Sequence, residues 1–219
     1  MADGLELPGL ARIVAVSDES FDVAYLVLQG DPATSKSRLS AMLSREQRQR
    51  LTRYCLERVR GIVGNDNLFM LAENRAAVSE GQLLDIKTIQ QHGDDLNSAL
   101  AAARSAPELC SYQAAIVIPN DLPFLVDLGA HQLGPFDRQC LITPDTHLSG
   151  TNLLRVPISF GQPIFSFGLN SFSNHVRAAR AQELEVRVAP CPNAMDLDTP
   201  NDLILAQEIF PEAELWRLL

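Results

Sequence analysis

Residues 114–123 read AAIVIPNDLP. The first six carry no polar side chain, which predicts a strand buried on both faces, and such strands belong to the middle of a largely parallel sheet. The run stops at Asn120 and Asp121, and Pro123 then removes a backbone donor and stiffens the turn. In open parallel sheets, ligands sit beyond the carboxyl ends of the strands, so Asp121 is the first candidate functional residue.

Outward from this strand, short β-rich runs alternate with helical segments. The alternation predicts an α/β fold, a single domain with a mostly parallel central sheet. Strands are expected at VAYLVL (23–28), NLFMLAE (67–73), DIKTI (85–89), QCLIT (139–143), NLLRVP (152–157) and LEVRVA (184–189). Helices are expected from the capping box at Ser44 and Gln47 to Val59, over 96–103 with Asp94 or Asp95 as cap, over 124–133 and over 171–182. The residues after Pro211 read as a surface helix or as a segment without structure.

The chain has 219 residues, 46% of them hydrophobic and 21% charged, enough for one good core. Eighteen basic against 27 acidic residues give a net charge of -9, which argues against a nucleic acid or an anionic membrane surface as the main partner. The apolar runs fall far short of the roughly 20 residues that cross a bilayer. Asp3 and Glu6 stand where a secretory signal would carry basic residues, so a cytoplasmic location is expected. The four cysteines (Cys55, Cys110, Cys140, Cys191) are widely separated and read as reduced and mostly buried. His92, His131, His147 and His175 are equally scattered and show no zinc-ligand spacing.

Three segments carry candidate chemistry. In MDLDTP, Asp196 and Asp198 lie two apart on an extended stretch, so their carboxylates share a face, an arrangement suited to Mg²⁺ held together with phosphate oxygens. Asp198 also reads as a plain helix N-cap before Pro200. Lys36, one of only two lysines, and Arg38 follow the first strand in SKSRLS, where they would grip nucleotide phosphates or lie in a solvated loop. In FSFGLNSF, Gly168 and Ser171 open a helix whose free backbone N–H groups suit an anion, with Ser171 equally readable as an N-cap.

Taken in order, SKSRLS, DLNSAL, IPNDLP, TPDTHLSGTN, FSFGLNSFSNHVRAAR and MDLDTPNDL resemble the 2-phospho-L-lactate guanylyltransferase family of coenzyme F-420 biosynthesis. The resemblance covers about residues 23–208. It implies a Rossmann-like nucleotidyltransferase fold over 23–210, preceded by an unaligned N-terminal extension (1–22) and followed by a tail (211–219). It also implies that GMP passes from GTP to a small three-carbon phospho-acid (2-phospho-L-lactate, phosphoenolpyruvate or 3-phosphoglycerate), with pyrophosphate released. The product would go on to a deazaflavin-modifying transferase.

Carried over by position, the resemblance makes Asp121, Asp196 and Asp198 the magnesium ligands. Thr151, Gly168 and Ser171 would contact the phospho-acid. Lys36 and Arg38 would face the nucleotide phosphates, and Asn97 would lie beside them. One position departs: Gly30 stands where the family carries a further lysine, for which Arg12 is a candidate substitute. A nucleotidyltransferase with another acceptor, a non-catalytic nucleotide-binding protein and a homo-oligomer are the other readings compatible with the sequence.

Overall fold

The computed structural model describes residues 23–91, 95–159, 161–191 and 193–219. The N-terminal extension with Arg12, together with His92 and Asp94, lies outside them.

Seven strands form one sheet: β1 (Val23–Gln29), β2 (Leu68–Ala72), β3 (Lys87–Gln90), β4 (Ala114–Pro119), β5 (Gln139–Pro144), β6 (Thr151–Pro157) and β7 (Glu185–Val188). Their order is β3-β2-β1-β4-β6-β5-β7. β1 runs parallel to both β2 and β4, β2 to β3 and β5 to β7; β6 alone is antiparallel to its neighbours. The expected mostly parallel sheet is therefore present, with β4 near its centre.

Among the described residues, five helices cover the sheet: α1 (Arg45–Val63), α2 (Arg75–Leu83), α3 (Leu96–Arg104), α4 (Ser171–Ala181) and α5 (Pro200–Ile209). Side-chain alternation divides the core into two layers. Val23 and Val27 of β1 and Ile116 and Ile118 of β4 pack with Leu56 and Val59 of α1 on one face. Ala24, Leu26, Ala115 and Val117 pack with Leu100 of α3 and Ala179 of α4 on the other.

Helix starts follow the sequence closely in two cases. Ser44 and Gln47 form the reciprocal capping box of α1, and the Asp95 carboxylate caps α3 by accepting from the Ser98 amide. Helix α2 was not foreseen; its start is the Asn74 side chain, which accepts from the Ala77 amide. Gly81 lets α2 lie close to the sheet, since a Cβ there would meet the Met70 and Thr88 side chains at 2.4 and 2.5 Å.

The helix expected over 124–133 does not form; only Gly129–Gln132 makes a single 3-10 turn. Leu122, Leu125 and Leu128 turn into the first core layer while Phe124 turns into a separate cluster, so no single helical face can serve them all. The Arg58 guanidinium takes the Leu125 carbonyl at 2.7 Å, an acceptor that a helix would use for its own ladder. The last residues are also more tightly held than the sequence suggests. Glu214–Arg217 form a 3-10 turn whose Leu215 is fully buried, and the Trp216 indole donates to the Phe210 carbonyl. All four cysteines are free, but only Cys55 and Cys140 are buried; Cys191 is half-buried and Cys110 is exposed, against the expectation that most would lie inside.

Candidate active site

Strands β1 and β4 are parallel neighbours although β2 and β3 lie between them in the chain, so the sheet changes winding direction there. Loops diverge at such a point and leave a crevice beyond the strand ends. The crevice, about 300 Å³, is lined by Gln29, Gly30, Lys36, Asn120, Asp121 and Asp198.

One apolar cluster sets its walls. Leu39 behind Lys36 and Arg38, Phe124 behind Asp121, and Met195 and Leu197 flanking Asp196 pack together with Leu51 of α1 and Leu203 of α5. The Leu197 amide donates to the Asp121 carbonyl at 3.0 Å, which stitches the acidic segment to the end of β4. Burying alternate apolar residues thus fixes the intervening charged ones beside the crevice, as the spacing of MDLDTP requires.

Lys36 is the hub of this charge cluster. Its ammonium, with the side chain only 6% exposed, lies 2.8 Å from Asp198 Oδ1 and 3.9 Å from Asp121 Oδ2. Burial pulls the Lys36 pKa down, yet Asp121 and Asp198 outweigh it and hold the ammonium above its ordinary value. Burial pushes the Asp121 carboxyl up to about 6; Lys36 opposes this, and the charges of Asp198 and Asp196 add to it. Asp196 is also raised, chiefly by burial, while Asn152 steadies its charge by donating at 3.3 Å. Arg38 is different: its side chain is 75% exposed and lies 3.9 Å from Asp198 Oδ2.

The donor set can be tested for Mg²⁺. Asp121 Oδ1 is buried without a hydrogen-bond partner, although it is an acceptor that ordinarily finds one. Among the described residues no group of three or more His, Cys, Asp or Glu side chains is arranged as a closed metal site. Magnesium does not require one, because it commonly takes one or two carboxylates and fills its remaining positions with water and phosphate oxygens. Asp121 and Asp198 fit that role, with Asp196 beside them but turned to Asn152.

The other sequence-selected residues form a second group. Asp145 builds the turn before β6: its carboxylate accepts from the amides of His147, Ser149 and Gly150 and from the Ser149 hydroxyl. Thr151 starts β6 from this turn. Its hydroxyl lies 2.9 Å from His175 Nδ1 and 3.3 Å from the Ser171 hydroxyl. Gly168 has φ +119 and open space where a Cβ would be. Asn97, expected near the nucleotide, is spent on backbone: it donates to the Phe167 carbonyl and accepts from the Phe167 amide.

Two helix starts differ from their N-cap readings. The cap of α5 is Thr199, in a capping box with Asp202, and Asp198 is left to Lys36. The cap of α4 is Asn170, so Ser171 is already helical and directs its hydroxyl to Thr151. Among the described residues, five that are not glycine adopt positive φ. Asp85 and Glu183 close helices, where this conformation is ordinary. Lys36, Leu148 and Asn170 instead sit in the loops that carry the candidate residues, and local strain of this sort gathers at functional sites.

A sequence profile of the family described as "Guanylyl transferase CofC like" matches residues 26–210. The chain belongs to this guanylyltransferase family. Its fold is correspondingly close to that of a nucleotide-diphospho-sugar transferase from Desulfovibrio desulfuricans G20, with a TM-score of 0.72 at 18% identity over 90% of this chain and 93% of that one. Among relatives of the guanylyltransferase family, a phosphoenolpyruvate guanylyltransferase from Rubrobacter xylanophilus is 37% identical over 77% of this chain and 85% of its own length. One from Thermobaculum terrenum is 30% identical over 84% and 83%. A 2-phospho-L-lactate guanylyltransferase from Methanobrevibacter smithii is 24% identical over 77% and 76%. Sequence reasoning missed Asp145, Asn152 and His175 as parts of this guanylyltransferase's candidate site. Asp145 had a signal, an aspartate two and four residues before turn amides; the other two depend on contacts that no spacing reveals.

Proposed function

We propose that the protein transfers GMP from GTP to a three-carbon phospho-acid with release of pyrophosphate, that phosphoenolpyruvate is the favoured acid, and that the reaction serves coenzyme F-420 biosynthesis in the cytoplasm. The observation that carries the reading is the Lys36–Asp198–Asp121 cluster at the β1/β4 crevice. Two relatives at 37% and 30% identity bearing the name phosphoenolpyruvate guanylyltransferase favour that acid. No helix among the described residues is long and apolar enough to cross a membrane.

The acid's own phosphate is the nucleophile. Its second ionisation, near pH 6 for phosphate monoesters, leaves it charged at neutral pH, so no side-chain base is needed. A phosphate oxygen attacks the α-phosphorus of GTP, the bond from that phosphorus to the β-phosphate oxygen breaks, and pyrophosphate leaves with the electron pair. The task left to the protein is positioning and charge neutralisation.

Mg²⁺, bound by Asp121 and Asp198 with Asp196 alongside, would supply charge neutralisation between the two anionic phosphates. Lys36 holds both carboxylates at fixed positions from below. Arg38, exposed and beside Asp198, would neutralise the departing pyrophosphate. Thr151, backed by the Ser171 hydroxyl that donates to it, and the backbone around Gly168 offer hydrogen bonds to the acid at the start of α4, where the helix dipole also favours an anion.

The test is acid-dependent pyrophosphate release from GTP and Mg²⁺, with phosphoenolpyruvate, 2-phospho-L-lactate and 3-phosphoglycerate supplied separately. The highest kcat/KM is expected with phosphoenolpyruvate. Turnover with none of the acids would contradict the reading.

A further inference from the structure

We propose that His175 is a positioning residue for the acceptor: it fixes the Thr151 hydroxyl as a hydrogen-bond donor toward the acid. This rests on the function proposed above.

His175 lies on the second turn of α4 and is fully buried. Its two ring nitrogens meet partners of different kinds. Nε2 is 2.9 Å from the Ser166 backbone amide, which can only donate. Nε2 must therefore be the unprotonated nitrogen, and in a neutral imidazole the proton then resides on Nδ1. Burial supports the neutral form, holding the pKa down at about 4. A charged ring would also set an Nε2–H against the Ser166 N–H.

The tautomer decides the polarity of Thr151. Nδ1–H donates to Thr151 Oγ1 at 2.9 Å, and the Ser171 hydroxyl donates to the same oxygen from 3.3 Å. With both lone pairs of Thr151 Oγ1 engaged, its own proton is directed away from the imidazole. An outward donor is what an ionised phosphate or carboxylate requires, whereas a freely rotating hydroxyl would present it only part of the time.

The same ring ties together the segments around Gly168. Ser166 precedes that glycine, Ser171 follows it, and the Phe167 ring stands edge-on to the imidazole with centroids 4.7 Å apart. From the far side, Asn97 clamps the Phe167 backbone. A histidine that merely filled the core would not need every polar partner to fall in the Thr151 and Gly168 segments.

Two amide substitutions separate the ring's two contacts. His175→Asn puts an amide near the Nδ1 position, able to donate to Thr151 but too short for Ser166. His175→Gln reaches the Nε2 position, able to accept from Ser166 but without the donor to Thr151. His175→Gln is expected to raise KM for phosphoenolpyruvate about tenfold or more, the range for losing one hydrogen bond to a charged group, with KM for GTP unchanged. His175→Asn keeps the donor to Thr151 and is expected to raise that KM clearly less than His175→Gln does, despite a lower melting temperature. Adding Thr151→Val to His175→Gln should cost nothing beyond Thr151→Val alone, because the histidine acts through that hydroxyl.

An unchanged acid KM in a folded His175→Gln protein would overturn the proposal, as would equal rises for acid and GTP, or additive losses in the double variant. Should His175→Gln not fold, a rise of about tenfold or more in the acid KM of folded His175→Asn overturns it instead. Wild-type protein without acid-dependent turnover would refute the proposed function itself, which keeps the two failures distinct.

Discussion

Lys36 and Asp198 are 162 positions apart in the chain and 2.8 Å apart in space. Their ion pair joins the loop after β1 to the segment before α5, with Asp121 at the end of β4 as the third member. The energetics of this buried cluster support a series of quantitative expectations.

Removing the ammonium should be felt most where Asp121 is charged. In Lys36→Met the Asp121 carboxyl rises above its present value of about 6, because the cation that opposes burial is gone. The folded variant then retains a proton that the unfolded chain gives up above about pH 4, so its stability falls as pH rises. The deficit relative to wild type should be small at pH 5 and about 2 kcal/mol at pH 8, below the usual cost of a severed buried pair because both carboxylates are partly exposed. Thermal melts at the two pH values check this; an equal deficit at both would refute it.

The three aspartates should share a loss of turnover but differ in stability. Asp121→Asn and Asp196→Asn remove charges that burial already disfavours, so their melting temperatures at pH 8 should hold or rise. Asp198→Asn takes away the closest partner of Lys36 and should cost about 1 kcal/mol, screening included. Each should abolish guanylyl transfer. Calorimetry beside the pyrophosphate assay distinguishes the cases, and wild-type turnover at limiting Mg²⁺ would remove the residue concerned from the site.

Gly30 has room for a side chain with adjustment: a Cβ there would lie 3.2 Å from Glu73 Oε2, which also accepts from the Asp31 amide. Its backbone is not in the left-handed region, so no glycine-specific strain forbids substitution. Gly30→Lys should lower KM for GTP and leave KM for the acid alone. An unchanged KM for GTP would mean that Arg38 or another cation already serves the phosphates.

The strands were readable because a buried sheet leaves uninterrupted apolar runs, and AAIVIP is the plainest of them. Asp121, Asp196 and Asp198 were readable because they end or interrupt such runs. Helix α2 was not, since it is only nine residues long and the residues it buries, Ala77 and Gly81, are small, so no large apolar side chains mark its inner face. The segment 124–133 misled because its leucines are spaced as in a helix while Phe124 stacks on Phe210, centroids 4.3 Å apart, in a different cluster. That stack, with Trp216 beside it, is also why the chain's last residues are held. Lys36 was singled out from its place after β1, but its burial among the aspartates depends on contacts between distant segments, as does the polarity that His175 imposes on Thr151.

A second buried histidine gives a pH dependence of opposite sign to that of Asp121. His131 is pushed down to about 3, first by burial and then by the Arg155 guanidinium. Its Nε2 lies 2.9 Å from the Thr143 hydroxyl, which itself donates to the Ala189 carbonyl. Between the ordinary histidine pKa of about 6.5 and the folded value, the unfolded chain binds a proton that the folded one refuses, so this contribution to stability is lost as pH falls through that window. His131→Gln retains an amide donor for Thr143 but cannot titrate. Its stability should decline less than that of wild type between pH 6.5 and 4, as followed by chemical denaturation; identical slopes would contradict the assignment.

The central claim is that a phosphate oxygen of the acid becomes bonded to the α-phosphorus of GTP. The most direct measurement supplies phosphoenolpyruvate labelled with heavy oxygen in its non-bridging phosphate positions, together with unlabelled GTP and Mg²⁺, and weighs both products by mass spectrometry. All of the label is expected in a product in which GMP and the acid are joined through a diphosphate bridge, with unlabelled pyrophosphate released. Label in the pyrophosphate, or pyrophosphate formed without that bridged product, would contradict the account.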